Sequence, residues 1–392
     1  MAKLEQMIKE LCPEGVQCVE LKRVCRFQNG FAFKSDKFKS EGLPILRIAN
    51  IVDGIISDDG YVYFDNNDYK ENLTSYIVKN NDIVVAMSGA TTGKIGINRN
   101  DKIFYLNQRV GLFIPDECCL DRMYLYYWLM SKNTEILSIS SGTGAQPNLS
   151  SEKMMSFIIP LPPMIIQKEI VIKLNSFAEY INCLKEELAA RKTQYLHYSY
   201  ELLSSNNNTT SLKDVCVIEK GKTPIQKAEN GEYPLVVTTS ERKTCNTYQF
   251  DSSAVCIPLV SSRGHGVASL NHVYYQTGKF ALGNILCAVM PKSSSGLNPK
   301  YLYYYLELKK DYLLVPLMKG GANVSLHIDD IERVKIPIPS LAEQERIVSI
   351  LDRFDKLCND ISEGLPAEIE ARRKQYEYYR DKLLSFEENK NA

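Results

Sequence analysis

Residues 160–204, PLPPMIIQKEIVIKLNSFAEYINCLKEELAARKTQYLHYSYELLS, return at 337–385 as PIPSLAEQERIVSILDRFDKLCNDISEGLPAEIEARRKQYEYYRDKLLS, with four extra residues in the second copy. A chain that repeats so long a segment folds as two related halves, because the same apolar and polar pattern dictates the same local structure twice. The upstream flank repeats as well. Tyr124-Leu125-Tyr126-Tyr127 falls on Tyr301-Leu302-Tyr303-Tyr304, Gly144-Ala145 on Gly321-Ala322 and Pro160 on Pro337, all at an offset of 177. Farther up, Leu21-Lys22-Arg23-Val24-Cys25 with Gly30 matches Leu212-Lys213-Asp214-Val215-Cys216 with Gly221 at an offset of 191. The second half is therefore fourteen residues shorter, and the difference lies in its middle.

Each half reads as a globular module followed by a long helix. The runs Pro44-Ile45-Leu46-Arg47-Ile48, Asp82-Ile83-Val84-Val85-Ala86-Met87 and Val110-Gly111-Leu112-Phe113-Ile114, separated by polar and Gly-rich turns, predict strands of a small mixed sheet. Residues 121–132 carry Tyr, Leu, Trp and Met, and 299–310 Tyr and Leu, at helical spacing, and both predict core-packing helices. In the spacer, Ile170, Leu174, Phe177, Ile181, Leu184, Leu188, Arg191, Tyr195, Tyr198 and Leu202 step by four and three, the rhythm of a coiled-coil seam. Ile347, Leu351, Phe354, Cys358, Ile361, Leu365, Ile369, Arg372, Tyr376, Tyr379 and Leu383 repeat it, with two adjoining steps of four at Leu365. Four inserted residues are a stutter, and Gly364 and Pro366 beside it predict a kink or break.

Two such seams in one chain satisfy each other by pairing antiparallel; the other arrangement packs each helix on its own module. A helix from Ile166 to Leu203 would measure about 57 Å at 1.5 Å per residue, a length suited to a rigid spacer. The expected fold class is α+β: two repeated mixed α/β modules joined by two long helices in an antiparallel coiled coil. The expected boundaries are a first module at 1–157, a first spacer helix at 158–204, a polar Ser/Asn/Thr linker at 205–211, a second module at 212–336, a second spacer helix at 337–386 and a tail at 387–392.

Composition excludes several function classes. No apolar run approaches the roughly 18 residues that span a bilayer, and the N-terminus MAKLEQMIKELCPEG has no secretory h-region, so a cytoplasmic location is expected. Eleven cysteines without a C-x-x-C and four histidines without an H-x-x-x-H argue for free, mostly buried thiols and no metal site. Lys and Arg total 47, as do Asp and Glu, so any nucleic-acid binding comes from local patches rather than a uniformly basic surface. Gly93-Lys94 and Gly221-Lys222-Thr223 lack the glycine five positions earlier that a phosphate-binding P-loop requires; Ser88 and Cys216 stand there. No N/D-P-P-Y/F methyltransferase signature is present, and His197, His265, His272 and His327 have no triad context, so no catalytic residue is expected.

Two related modules on an antiparallel spacer have approximate two-fold symmetry, the arrangement that reads two half-sites about 34 Å apart on one duplex. Phosphates recruit Lys, Arg and loop N–H groups, and base edges recruit Arg, Asn and Gln. The loop 88–96, with Ser88, Thr91 and Lys94, is a candidate contact or a simple hairpin turn. Its counterpart 261–266 carries Arg263 and His265. Asn107, Gln108 and Arg109 are candidate base readers or sheet-edge residues. The loops Gly142-Thr143-Gly144-Ala145-Gln146 and Lys319-Gly320-Gly321-Ala322-Asn323 occupy matching positions and are structural loops or backbone contacts. The charged faces with Lys185, Glu186, Glu187, Arg372, Arg373, Lys374 and Arg380 are either solvated or docking surfaces.

The motifs Asn29-Gly30-Phe31-Ala32-Phe33-Lys34-Ser35, Pro44 to Ile48, Ser88-Gly89-Ala90-Thr91-Thr92-Gly93-Lys94, Leu106-Asn107-Gln108-Arg109-Val110, Pro160-Leu161-Pro162-Pro163 with Gln167, Pro337-Ile338-Pro339 with Glu343-Gln344, and residues 375–384 together cover nearly the whole chain. In this order they resemble the specificity subunit of a type I restriction-modification system. That resemblance implies a protein without chemistry of its own, which reads a bipartite double-stranded DNA target and holds two adenine methyltransferase subunits on its helices, with restriction subunits joining them. S-adenosylmethionine is then expected in the methyltransferase subunit and no cofactor in this chain. Lys34 and Arg47, which lie in these motifs, and Lys222 beside Gly221 are further candidate DNA contacts. The reading from another class is a non-catalytic protein–protein adaptor with two binding modules on a coiled-coil spacer.

Overall fold

Strand Ile83–Ala86 shows how the sequence builds the first module. All four residues are buried, and their alternation sends Ile83 and Val85 into one apolar cluster and Val84 and Ala86 into another. A strand covered on both faces reads as a continuous apolar run. In the computed structural model, which describes residues 2–57, 59–140, 148–204, 209–226, 228–239, 243–263 and 266–389, the chain forms two compact units. The first comprises Met1–Cys183 with Ile369–Ala392 and the second Leu184–Glu368.

In the first unit the strands make two principal sheets instead of the one small mixed sheet expected. One runs in the order Cys25–Asn29, Val110–Pro115, Ile83–Ala86, Ile95–Ile97, Ile55–Ile56, Ile51–Val52. The other runs Val62–Phe64, Leu43–Leu46, Phe104–Leu106, Ile77–Val78, with a parallel pair at its centre. Leu46, Val84, Ala86, Phe104 and Leu112 fill one apolar cluster, and the helix Arg122–Ser131 brings Tyr124 and Trp128 to the other.

The second unit repeats this in detail. Its sheets run Cys216–Lys220, Leu286–Pro291, Ala254–Pro258, Tyr274–Gln276 and Lys243–Cys245, Tyr233–Val236, Lys279–Leu282, Phe250–Asp251. Register locates the missing residues. Equivalent pairings set Leu46 with Leu106 and Val236 with Leu282, an offset of 190 on the first strand, but Phe104 with Val78 and Phe280 with Phe250, an offset of 172. The loss therefore falls between residues 46 and 78, where the first module carries the hairpin Ile51–Val52/Ile55–Ile56 that lengthens its sheet.

Several boundaries differ from expectation. Ile158–Leu161 is a strand paired with Gln17–Glu20, not the start of a helix, because Pro160, Pro162 and Pro163 favour extended backbone. Thr209–Ser211, the equivalent of Gln17–Glu20, is a strand paired with Lys335–Pro337, so the linker is shorter than 205–211 and the second spacer helix does not begin at 337. The tail is tied down as well: Val16 N donates to Glu387 O and Asn389 N to Val16 O, both at 2.9 Å.

The first spacer helix is Met164–Ser204. The second is broken, as Gly364 and Pro366 predict, into Leu341–Asn359 and Leu365–Leu383. Asp360 Oδ1 accepts from Ser362 N at 2.7 Å and Glu363 N at 3.2 Å and holds the connecting turn. Pro366 sits at the second residue of the new helix, where its missing N–H costs nothing. The break removes Ile361 from the seam: it lies in the turn and is 86% exposed.

Among the other seam candidates Tyr198 is 41% exposed, while Ile170 and Leu174 lie in the first module's apolar cluster and Ile347 and Leu351 in the second's. Ile170, Leu174, Ile181, Leu184, Ile347 and Leu351 are buried, and Phe177, Leu188, Phe354 and Leu365 half-buried. Within the first unit Phe177 stacks on Tyr379 at 5.4 Å and Tyr180 receives Arg372 at 5.5 Å; within the second, Tyr195 and Tyr198 meet Phe354 at 6.2 and 5.7 Å. Ascending numbers on the long helix meet descending numbers in the first unit, so the pairing there is antiparallel. No helix among the described residues is long and apolar enough to cross a membrane. The cysteines are free, and six of the eleven are buried.

Each helix is keyed to its module by a fully buried glutamine. Gln167 Oε1 accepts from Asp121 N at 2.8 Å, and its Nε2 donates to Cys119 O and Pro162 O, each at 2.8 Å. Gln344 makes the equivalent set with Asn298 N at 2.7 Å, Gly296 O at 2.9 Å and Pro339 O at 2.8 Å. Asp121 and Asn298 in turn cap the core helices with their side chains.

Candidate nucleic-acid interface

Backbone hydrogen bonds draw several candidate residues into one corner of the first module. Asn107 N donates to Leu46 O at 3.1 Å, which sets Arg47 beside the turn 107–109. Val110 N closes that turn on Asn107 O, and Met87 N donates to Arg109 O, both at 2.8 Å. The corner therefore gathers Arg47, Ser88, Thr91, Asn107, Gln108 and Arg109. Gly30 makes the close approach possible, since a Cβ there would overlap the Asn107 carbonyl. Gln108 and Arg109 are exposed at the tip of the turn.

The 88–94 segment is a hairpin loop joining Ile83–Ala86 to Ile95–Ile97. Gly89 and Gly93 take φ of 84° and 81°, and Thr92 Oγ1 donates to Gly89 O at 2.6 Å. This turn chemistry fixes the loop against the corner: a Cβ on Gly89 would stand 3.1 Å from Ile48 Cδ1. Lys94 is exposed at its end. Among the described residues, the buried side-chain nitrogens and oxygens without a hydrogen-bond partner are Arg47 Nε, Ser88 Oγ and Thr91 Oγ1, all candidates for DNA contact. Arg47 is otherwise held by Gly60 O, 3.2 Å from its Nη2. Lys34 lies apart from these six. Its N donates to Tyr69 OH at 3.1 Å, in a cluster where Phe31 and Phe33 pack on Tyr69 and Phe64.

In the second module the candidates are more scattered. Arg263 is exposed in the loop between Ala254–Pro258 and Tyr274–Gln276, and its N donates to Ser261 Oγ at 3.2 Å. That loop rests on residues 319–325 through Ser261 N to Val324 O at 3.0 Å. Lys319 and Ser325 exchange backbone hydrogen bonds of 2.8 Å, so this segment has the structural role weighed for it. The Lys319 ammonium is engaged by Asp330 at 3.0 Å, and the ion pair holds the Asp330 carboxyl below its usual range. Lys319 is thus a structural cation as much as a candidate contact. Asn323 is exposed beside it, and Lys222 is exposed with its N bonded to Gln249 Oε1 at 2.9 Å. Gln146 and His265 lie outside the described residues.

The corner recurs in the second module with other side chains. Gly283 N donates to Val236 O at 3.0 Å, Leu286 N to Gly283 O at 3.0 Å and Leu259 N to Ile285 O at 2.8 Å, matching the three bonds that organise the first corner. Gly221 approaches the Gly283 carbonyl as Gly30 approaches that of Asn107. The residues at this corner, Val237, Val260, Asn284 and Ile285, were not among the sequence candidates. The signal lies in the match of Leu106-Asn107-Gln108-Arg109-Val110 with Leu282-Gly283-Asn284-Ile285-Leu286, in which Arg109 gives way to an apolar residue.

Comparisons with known proteins follow the same division. A family model for the type I restriction modification DNA specificity domain matches twice, at residues 13–191 and 204–371. The chain is 33% identical over 298 residues to the EcoR124I/EcoR124II type I restriction enzyme specificity subunit of Escherichia coli, covering 67% of this chain and 70% of that one. Its fold is similar to the S subunit of a type I restriction-modification system from M. genitalium, with a TM-score of 0.56 at 17% identity over 94% of this chain and 96% of that one. It is also similar, at a TM-score of 0.61 and 19% identity over 94% and 97% of the two chains, to a chain from a structure addressing complex assembly and conformational transition of a type I R-M system. The duplication that organises the chain is therefore a duplication of the specificity domain, and the chain belongs to the type I restriction-modification DNA specificity family.

Proposed function

We propose that this chain reads a bipartite DNA target, one half-site per module, and carries adenine methyltransferase and restriction subunits that act on the DNA it selects. The observation that supports this most is the repeated corner: one backbone frame, built twice by the same hydrogen bonds, presents Arg47, Gln108 and Arg109 in one module and Val260, Asn284 and Ile285 in the other. A duplicated frame with divergent tips suits two half-sites of different sequence, since base edges are distinguished by side-chain donors, acceptors and methyl contacts. The half-exposed helix faces supply docking area for the methyltransferase subunits, and S-adenosylmethionine binds those subunits rather than this chain. The protein acts in the cytoplasm, where its DNA is.

The test is to co-express the chain with the methyltransferase subunit encoded beside it and to map modified adenines across the host genome by single-molecule sequencing. A split motif with a fixed gap is expected. Co-purification of a catalytically competent partner without any motif would overturn the reading and favour a protein–protein adaptor.

A further inference from the structure

The two corners share a backbone and differ in chemistry, and the difference has a direct consequence for what each can read. Equivalence is set by hydrogen bonds rather than by side-chain likeness. Met87 N donates to Arg109 O and Leu149 N to Met87 O, each at 2.8 Å; Leu259 N donates to Ile285 O and Leu326 N to Leu259 O, each also at 2.8 Å. The bridge Ser88–Asn148 corresponds to Val260–Ser325. Val260 therefore stands for Ser88, Asn284 for Gln108, Ile285 for Arg109 and Val237 for Arg47.

In the first module the corner holds three buried polar atoms, Arg47 Nε, Ser88 Oγ and Thr91 Oγ1, without partners. The exposed side chains of this corner, Gln108 and Arg109, are an amide and a guanidinium, groups that hydrogen-bond base edges. In the second module no buried side-chain nitrogen or oxygen without a partner is found among the described residues. The corner is instead a cleft of about 350 Å³ whose lining mixes the apolar Val260 and Ile285 with Lys220, Asn284, Ser325 and His327. Val260, two residues beyond the fully buried strand Ala254–Pro258, is 37% exposed. An apolar side chain such as Val260 does not itself distinguish donors from acceptors. What it can distinguish in the major groove is the thymine C5-methyl, the one apolar group that a base edge presents there.

Building on the DNA-reading function proposed above, we infer that the second module recognises a thymine through its methyl group, seated on Val260 and Ile285, whereas the first module reads base edges by hydrogen bonds from Gln108 and Arg109. Asn284 stands at the same cleft, where its amide suits the N6 and N7 of an adenine next to that thymine. Val260 and Ile285 are thus specificity-determining residues that carry no charge.

The experiment uses the complex with its methyltransferase subunit. The half of the motif read by the second module is the half that stays unchanged when residues 20–157 are exchanged. Duplexes are then prepared with deoxyuridine replacing each thymine of that half-site in turn, which deletes one methyl and leaves the hydrogen-bonding edge intact. One replacement is expected to weaken binding about fourfold, the effect of losing one buried methyl. The double variant Val260→Ser/Ile285→Ser is expected to bind thymine and uracil duplexes equally. A second-module half-site without a thymine on either strand, or parental affinity for every uracil duplex, overturns the inference while the split motif leaves the DNA-reading function standing. Absence of any motif overturns both. The uracil duplexes leave the protein unaltered, so the result does not depend on the variant folding.

Discussion

Gln167 and Gln344 show how much a single residue type can settle. Each is fully buried, spends one acceptor and two donors on backbone groups, and thereby joins the start of a spacer helix to the cap of a core helix. Gln344→Leu would keep the volume but leave Asn298 N–H and the carbonyls of Gly296 and Pro339 unpaired. A loss of about 2–4 kcal/mol is expected from the desolvation penalty of those groups, read as a lower urea midpoint; an unchanged midpoint would show that water replaces the amide. At the surface the scale is different. Lys94→Ala and Arg263→Ala remove exposed cations, and each is expected to weaken binding of the cognate duplex and to reduce the slope of log affinity against log salt by about 1. An unaltered salt slope for either variant would remove that loop from the interface.

At the scale of elements, the broken helix separates positions that the heptad rhythm treats alike. Leu351 is fully buried, whereas Ile361 lies 86% exposed in the turn. Leu351→Ala is expected to cost about 2–5 kcal/mol and Ile361→Ala less than about 0.5 kcal/mol, compared by denaturant unfolding. Equal costs would mean that the seam runs straight through the turn.

The core helices add a pH dependence. Burial pushes Tyr124, Tyr127 and Tyr301 well above the usual tyrosine range, and burial together with the Asp352 carboxylate, 2.5 Å from its hydroxyl, does the same for Tyr304. Below the unfolded value of about 10 both states keep these protons and the burial contributes in full. As pH rises past that value the unfolded chain ionises while the folded chain resists, so stability falls progressively towards the folded values. The urea midpoint should accordingly drop between pH 9 and 11, and Tyr304→Phe should flatten that drop.

At the scale of the whole molecule, each module has its own sheets and its own apolar clusters, so exchanging residues 20–157 for those of a relative is expected to change one half of the methylation motif and leave the other intact. A change in both halves would show that the modules do not read independently. The duplication, the strand and helix types, the antiparallel seam and the break at Gly364-Pro366 are all legible in the residues. Periodicity and turn chemistry act over short stretches, and a repeated pattern repeats its fold. Thr209–Ser211 was not legible, because a short polar strand has no apolar alternation and exists only where Lys335–Pro337 offers a ladder. Ile361 fitted the heptad count, and only the geometry of the turn exposed it. The candidate site divides in the same way. Arg109, Gln108 and Ser88 announce themselves by side-chain type, but Val260 and Ile285 are ordinary apolar residues until the hydrogen bonds of Leu259 and Leu326 place them at the same corner. The sequence by itself thus determined the repeat, the elements and the family. The tertiary structure decided which residues share a corner and which polar atoms are left unpaired, because those depend on contacts between segments tens of residues apart.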